Sequence, residues 1–388
     1  MPNTLGPIVP KILAMGLMTL REKCVLPRLV NASYSAEAAK FGATIDVPIP
    51  TKQAATDVVP GPTPPTPTNN NMTTVQIQLN RWKKSDFFLT DKDLREIDKN
   101  QSFVPMQMSE AIRALANQVN ADIHAEYPEI YGFTGTPGTT PFATTVQDAV
   151  NARKVLNQQV CPLQNRRGVL NFDAEANALA LPAFSNVEQV GEQQAKIEGV
   201  IGRKFGIDWY ADDQVLRHVS TPLSAGAATV NGAHAIGAGS TDNGKTGTVS
   251  INKATNPSNL VRGDILTFAG DLQTYTVLAN VTLAVGNTTV SISPALRVAK
   301  TGGEAVTLAA SHTVNLVFHR DAFAFANRPV ADQLFTGGNE ISQMTDPVTG
   351  ISIALEVSRQ YHQTWWEFSI LYGTRLVRPE LAVRLAGA

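Results

Sequence analysis

One run of residues has the types and spacing of a phosphate-binding loop. Residues 239–246 (GSTDNGKT) match the pattern G-x-x-x-x-G-K-[ST] in full. In that chemistry, backbone N–H groups and a helix N-terminus hold the phosphates, the lysine contacts the β and γ oxygens, and the hydroxyl binds Mg²⁺. Here Gly247 and the alternating residues 248–251 (TVSI) predict a strand where that helix is needed. The sequence favours a hairpin turn in a β-domain, and NTP binding through Lys245 is the enzymatic alternative.

Two further groups of charged residues could take part in chemistry. His319, Arg320 and Asp321 could belong to a catalytic set, but no nucleophile in a strained G-x-S-x-G turn accompanies them. A second group alternates acidic with basic residues, which predicts a solvated, self-paired helix face without the spacing of a calcium loop. Its acidic members are Asp91, Asp93, Glu96 and Asp98. A structural role therefore accounts better for both groups.

Paired residues at two other places also favour structural roles. Asp212 and Asp213 stand alone as an acidic pair that belongs to no motif, which predicts a surface position. Trp365 and Trp366 lie in a strand-like run, where neighbouring positions point to opposite faces. We therefore expect one of the two tryptophan side chains in the core and the other at an interface. Stacking on a ligand is the alternative. The sequence thus predicts no catalytic, cofactor-binding or metal-binding residues, and no cofactor.

Composition limits the classes of protein that the chain can belong to. Its 388 residues suggest two or three domains, and 43% hydrophobic against 17% charged residues indicate a globular chain. The 32 basic and 33 acidic residues give a net charge of -1. Proteins that bind nucleic acid usually have more basic than acidic residues. Any contact with DNA is therefore expected to be weak and local.

Cysteine use and the N-terminal apolar run indicate a reducing compartment and no membrane span. Cys24 and Cys161 are far apart and match no metal motif, which predicts two small buried hydrophobes in a reducing cytoplasm. Residues 12–20 (ILAMGLMTL) are apolar, but a bilayer span takes about 20 residues. Arg21 follows where a signal peptide would have a small-residue cleavage site. We expect a short amphipathic helix that packs on a neighbour.

The N-terminal quarter predicts segments that reach other surfaces. Residues 1–40 are broken by proline and show no strand pattern, which indicates an arm. Residues 43–50 and 74–82 predict two strands, the second with Val75, Ile77 and Leu79 on one side. Between them, residues 59–71 (VPGPTPPTPTNNN) are rich in proline and asparagine. We expect a long hairpin with a proline-stiffened tip, and a disordered linker is the alternative.

Helical periodicity is clearest over residues 109–131. Ser109 is the predicted N-cap, Gly132 follows the end, and the apolar positions share one face. These positions are Ile112, Leu115, Val119 and Ile123. A rod of about 20 residues, roughly 30 Å long, is expected.

Shorter elements are predicted between this helix and residue 215. A second helix is predicted over residues 145–160 and closed by Pro162, with Val146, Ala149, Val150 and Leu156 as its apolar face. Residues 168–172 predict a buried strand, and Asp173 is the predicted cap of an Ala-rich helix that ends at Leu181. Residues 200–215 are strand-like and punctuated by glycine.

Composition changes near Ser220. From there to about Ser311, short alternating runs are separated by Asn-Gly, Gly-Asp and Gly-Asn turns, which predicts a small all-β domain. Strand patterns then resume over residues 313–318, 351–357 and 363–378. The α+β pattern left at residue 215 therefore continues after the β-domain, which predicts an insertion whose two ends lie close together.

Five segments, in their order along the chain, resemble a known family. They are residues 24–50 (CVLPRLVNASYSAEAAKFGATIDVPIP), 86–96 (DFFLTDKDLRE), 262–270 (RGDILTFAG), 318–323 (FHRDAF) and 371–380 (LYGTRLVRPE). The first is similar to the opening of many tailed-bacteriophage major capsid (coat) proteins. The others resemble the coat family of short-tailed Salmonella-type phages, including a turn and strand of its inserted β-domain.

The resemblance implies an α+β chain with the tailed-phage and herpesvirus major capsid fold, carrying an inserted all-β, barrel-like domain. The parts it implies are an N-terminal arm (1–40), an extended loop hairpin (41–90), a peripheral domain with the spine helix (91–139), the first part of an axial domain (140–219), the inserted β-domain (220–312) and a C-terminal axial and peripheral part (313–388).

The same resemblance implies a structural protein and not an enzyme. Many copies would form hexamers and pentamers of an icosahedral head that encloses double-stranded DNA, assembled through a procapsid in the host bacterial cytoplasm. A separate scaffolding protein and a portal are the implied partners, with weak non-specific DNA contact and no membrane. The alternatives are a tail-tube or head-completion protein and a cellular nanocompartment shell.

Overall fold

The computed structural model describes residues 24–34, 44–49, 55, 57–58, 60–62, 73–92, 103–185, 201–240, 242, 244–328, 340–346 and 350–388. Some sequence predictions concern residues outside these ranges. They are most of the arm, the helix over 12–20, most of the proline-rich tract 59–71, and the acidic residues Asp93, Glu96 and Asp98.

Strands dominate the described part of the chain. The helices are α1 (Leu26–Leu29), α2 (Phe103–His124), α3 (Gln147–Gln158), α4 (Phe172–Ala180) and α5 (Pro182–Ser185). The first strands are β1 (Thr44–Ile49), β2 (Thr73–Gln78), β3 (Arg81–Thr90), β4 (Gly132–Thr134), β5 (Arg166–Leu170), β6 (Gly202–Lys204), β7 (Ile207–Ala211) and β8 (Arg217–His218). The middle strands are β9 (Ala228–Val230), β10 (Gly247–Lys253), β11 (Ser258–Leu260), β12 (Ile265–Phe268), β13 (Tyr275–Val277), β14 (Val281–Leu283), β15 (Gly286–Ser293) and β16 (Val306–Leu308). The last strands are β17 (His312–His319), β18 (Phe323–Arg328), β19 (Glu340–Thr345), β20 (Ser352–Gln360), β21 (Gln363–Leu376) and β22 (Ala382–Gly387).

The long helix α2 is shifted towards the N-terminus relative to its prediction. It begins at Phe103, so Ser109 lies inside the helix and its prediction as N-cap is wrong. It ends at His124, and a 3₁₀ turn at Tyr127–Glu129 follows, because Pro128 has no N–H to continue the ladder. The predicted apolar face is confirmed, since its four members are at most 3% exposed. The 22 residues make a rod of about 33 Å.

Two shorter helices differ in detail from their predictions. In α3 the buried side chains are Ala149, Ala152 and Leu156, whereas Val150 is 40% exposed and was wrongly placed on the apolar face. Asn171, and not Asp173, caps α4, because Asn171 has extended backbone angles and its side chain accepts the Ala174 N–H.

A seven-stranded mixed sheet joins three distant parts of the chain. Its order is β4–β22–β17–β5–β7–β6, and β8 pairs with the start of β17. A five-stranded antiparallel sheet contains β18, β21, β20 and β19, with β3 along the other edge of β21. These sheets, together with α1 to α5, share one large hydrophobic cluster, which we call the body.

The segment predicted as an insertion forms a closed β structure. Six strands pair in the order β16–β12–β13–β15–β10–β9. A bridge between Thr229 and Ala305 then joins the two edge strands, so the sheet closes into a barrel. Its side chains form a hydrophobic cluster separate from that of the body. The barrel-like β insertion is therefore confirmed, while the limits at residues 220 and 312 stay a prediction. We call residues 220–312 the insert.

Candidate assembly elements and the insert junction

The described residues of the phosphate-loop match, 239–240, 242 and 244–246, lie in a turn region just before barrel strand β10. Strand β10 begins at Gly247, as the sequence predicted, so a strand comes directly after the turn. The Asp242 carboxylate accepts the backbone N–H and the hydroxyl of Thr246, both at 2.8 Å. Partial burial raises the pKa of Asp242, but these hydrogen bonds outweigh it and lower the pKa overall. The hydroxyl that Mg²⁺ would need is thus bound within the turn.

His319, Arg320 and Asp321 also form a local turn. The Asp321 backbone N–H donates to His319 Nδ1 at 3.2 Å, at the start of a 3₁₀ helix. Asn31 Nδ2 donates to the Asp321 carboxylate at 2.9 Å. These contacts fix α1 to the end of β17, which is a structural role.

The acidic residues that the sequence singled out have different outcomes. Asp91 pairs with Arg359 of β20 at 2.8 Å, while the predicted self-paired helix face lies mostly outside the described residues. Asp212 is only 4% exposed, so its predicted surface position is wrong. Its backbone N–H donates to the Leu170 carbonyl at 3.0 Å, because β7 runs parallel to the buried strand β5. Burial raises the pKa of Asp212 to about 6.

Both cysteines are buried and free, as the sequence predicted. Burial raises the pKa of Cys24 to about 12, so this thiol stays protonated.

Strands β1 and β2 form an antiparallel ribbon whose inward face packs along β18. The predicted hairpin pairing is confirmed, with Ile45 opposite Ile77. The inward side chains of the ribbon pack against Ala324 and Ala326 of β18. At Gly373 of β21, a Cβ atom would lie 2.9 Å from the Gln78 carbonyl carbon and closer still to its oxygen. Glycine at this position therefore allows the ribbon to approach β21 closely.

The outer face of β3 exposes aromatic side chains. Trp82 is 65% exposed and Phe88 is 56% exposed. Phe88 contacts Trp365 of β21 with ring centroids 6.2 Å apart, while Trp366 points inward and stacks on Phe87. The prediction of opposite faces for the two tryptophans is confirmed. Exposed large aromatic groups on a flat sheet face are typical of protein contact surfaces.

A buried polar network connects the insert to the body. His218 of β8 contacts the carboxylate of Asp264 through Nε2 at 2.8 Å and the hydroxyl of Tyr127 through Nδ1 at 3.1 Å. Asp264 also accepts the Val261 N–H at 2.7 Å. Because Asp264 belongs to the insert and Tyr127 lies just after α2, this network fixes the insert to the end of the long helix.

Arg384 forms the other half of this network. It reaches from β22 and donates to the carbonyls of Gly263 at 2.6 Å and Pro128 at 2.9 Å, and to the Thr276 hydroxyl at 3.1 Å. Its guanidinium lies 5.2 Å from the Tyr127 ring centre, a cation–π distance. Burial lowers the pKa of Arg384 to about 9.

Sequence reasoning did not identify this junction. Its histidines are scattered along the chain, and Arg384 lies in an apolar strand. Of the junction residues, only Asp264 lies in one of the segments that resemble the coat family, and no partner was predicted for it. The pairing of β8 with β17 brings His218 opposite His312, which no local pattern indicates.

Among the described helices, none has the length and hydropathy of a membrane span. Within the described residues, no group of three metal-binding side chains is present either.

Comparison with known proteins finds similarity to solved structures and not to any described sequence family. No family model and no curated protein matches the chain. A solved structure from Mycobacterium phage Che8 is 12% identical with a TM-score of 0.51, over 94% of this chain and 91% of that one. A structure from Gordonia phage Cozz is 9% identical with a TM-score of 0.46, over 94% and 87% of the two chains. The capsid structure of cyanophage P-SCSP1u is 15% identical with a TM-score of 0.45, over 89% and 84%.

The likeness to the Che8 structure extends over nearly the whole of both chains, so it concerns the complete architecture and not one shared module. At this low identity it identifies a fold. Together with the long helix, the ribbon and the two sheets, it shows that this chain has the tailed-phage major capsid fold, with a β-barrel inserted between β8 and β17.

Proposed function

We propose that this chain is the major capsid protein of a tailed bacteriophage, a structural subunit and not an enzyme. The observation that carries the proposal is the capsid fold over almost the full chain length. The short-tailed Salmonella-type subfamily, which the sequence segments suggested, is part of the proposal.

The surface of the subunit supports assembly through contacts with other copies. Trp82 and Phe88 are exposed on β3. Exposed apolar groups of this size are costly on a monomer, because they gain stability only when another surface covers them. A net charge of -1 limits repulsion between closely packed copies.

The finer organisation is part of the same proposal. Hexamers and pentamers of this chain would form an icosahedral shell on a separate scaffolding protein, with a portal at one vertex and DNA held by weak, non-specific contacts. The arm (1–40), the loop tip near residues 60–71 and the insert (220–312) are the parts proposed to touch neighbours. Assembly in the bacterial cytoplasm fits the two free cysteines.

Assembly of the purified protein tests the proposal. The chain would be expressed with and without a co-expressed scaffolding protein and studied by sedimentation and negative-stain electron microscopy. Closed polyhedra would support a shell subunit, and open tubes would favour the tail-tube alternative. Persistent monomers that turn over nucleotide would contradict the proposal.

A further inference from the structure

A continuous run of five rings, three buried histidines and two partly buried aromatic residues, crosses the junction between the insert and the body. Consecutive ring centroids from His124 through Tyr127, His218 and His312 to Phe133 are 6.1, 5.8, 5.5 and 5.2 Å apart. The run starts at the last residue of α2, crosses both strands that connect to the insert, and ends on β4. The three histidines are at most 2% exposed. Half of the six histidines of the chain therefore meet at one buried place.

Few charges balance these rings. Of the described side chains, Asp264 from the insert and Arg384 from β22 contact the run. Glu129 lies beside it and is already paired with Arg262 at 2.8 Å and Arg375 at 3.3 Å. With neutral imidazoles, the run thus holds one buried cation and one buried anion. An added proton would leave an excess of positive charge in a site that water does not reach.

His312 has no place for a second proton. Its Nδ1 lies 2.8 Å from the Ala310 carbonyl, which assigns the N–H to Nδ1. Its Nε2 is buried and has no hydrogen-bond partner in the structure. A proton at Nε2 would be an unsatisfied buried donor within the field of Arg384. Burial, with Arg384 and His218 adding to it, lowers the pKa of His312 to about 4.

His124 has the same preference for the neutral form. It is the last residue of α2, is fully buried, and faces the backbone of Val314 in β17. Burial, partly offset by the backbone of Val314, lowers the pKa of His124 to about 4. His124 lies on α2 and His312 on β17, which are not strands of the barrel, and the barrel has a hydrophobic cluster of its own, so its core does not depend on these imidazoles.

We propose that the junction is an acid-sensitive joint, in which protonation of His312 and His124 releases the insert from the body while the barrel stays folded. In the folded protein the pKa values of His124 and His312 lie below the usual value of 6.5. The contact between the insert and the body is therefore complete above pH 6.5 and is lost as the pH falls towards 4. When the pH is lowered from 6.5 to 4.5, each such histidine raises the equilibrium constant for opening of the junction about 40-fold.

Hydrogen exchange of the full, unassembled chain between pH 7 and 4 tests the joint, with rates corrected for intrinsic exchange. Peptides that contain Val314 report the junction, because the Val314 N–H donates to the Leu216 carbonyl where the two strands that lead to the insert pair. Strands β10 and β15 report the barrel. We expect junction exchange to rise at least about 40-fold between pH 6.5 and 4.5 while barrel exchange stays constant. Simultaneous loss of protection in both regions would overturn the proposal.

A matched pair of variants identifies the sensor. His312→Gln keeps a donor for the Ala310 carbonyl but cannot titrate, so its junction should open less steeply and at lower pH. His362→Gln removes a histidine whose side chain is 69% exposed and should behave as wild type. If His312→Gln opens at the same pH and with the same steepness as wild type, His312 is not the sensor. If that variant does not fold, the pH profile of hydrogen exchange in the wild-type chain decides the question. The proposal then stands only if the junction loses protection at a higher pH than the barrel.

Discussion

Asp264→Ala should weaken the attachment of the insert. The Asp264 carboxylate is fully buried and accepts from His218 Nε2 at 2.8 Å and from the Val261 N–H at 2.7 Å. Alanine leaves the buried His218 donor and the partly buried Val261 N–H without an acceptor, at about 1–3 kcal/mol each. Removing the buried charge recovers part of this loss as desolvation energy. We expect a net loss of about 2–4 kcal/mol in the free energy of unfolding.

The assay uses the distribution of tryptophan. All four tryptophans lie outside residues 220–312, so tryptophan fluorescence reports on the body while far-UV circular dichroism reports on body and insert together. In urea, the Asp264→Ala chain should show a dichroism transition at lower denaturant than its fluorescence transition. Such a split indicates that the insert unfolds separately.

Asp242→Ala is the matched control. Asp242 also accepts two hydrogen bonds from Thr246, but in a partly exposed turn where water can replace the carboxylate. We expect its loss to be within about 1 kcal/mol. If Asp264→Ala is no more destabilising than this control, or leaves the two transitions coincident, the buried network does not hold the insert.

Three further predictions concern other parts of the chain. Gly373→Ala should cost about 1–3 kcal/mol and speed proteolysis within β1 and β2, because the new Cβ overlaps the Gln78 carbonyl; unchanged protection would contradict the close approach. Lys245→Ala should leave assembly intact in electron microscopy, and saturable ATP binding that this change abolishes would overturn the turn assignment. Residues 220–312 alone should give an all-β circular dichroism spectrum and a cooperative melt, and a disordered spectrum would count against these limits.

Most of the fold could be predicted because its signals are local. Alternation over residues 248–251 predicted β10, and the turn-rich composition predicted the insertion. Boundaries were less accurate where two local signals competed. Ser109 has the chemistry of an N-cap, but the helix starts six residues earlier, and Pro128 produces a 3₁₀ turn beyond its C-terminal end. Short strands such as β9 and β14 were missed because three residues are too few to show a period.

The insert junction could not be predicted, because its chemistry arises from tertiary pairing. His124, His218 and His312 are about equally far apart in the sequence, and only the pairing of β8 with β17 brings two of them together. No local pattern predicts the burial of Arg384, which follows from the position of β22 between β17 and β4. Asp212 was placed on the surface for the same reason, since nothing local indicates that its strand is covered.

Cryo-electron microscopy of particles formed with a co-expressed scaffolding protein tests most directly the proposal that this chain is a capsid subunit. We expect closed icosahedral shells in which hexamers and pentamers of this chain form the wall and a neighbouring copy covers the face around Trp82 and Phe88. Helical tubes would contradict the proposal, and so would a failure to form particles or a shell in which that face stays open to solvent.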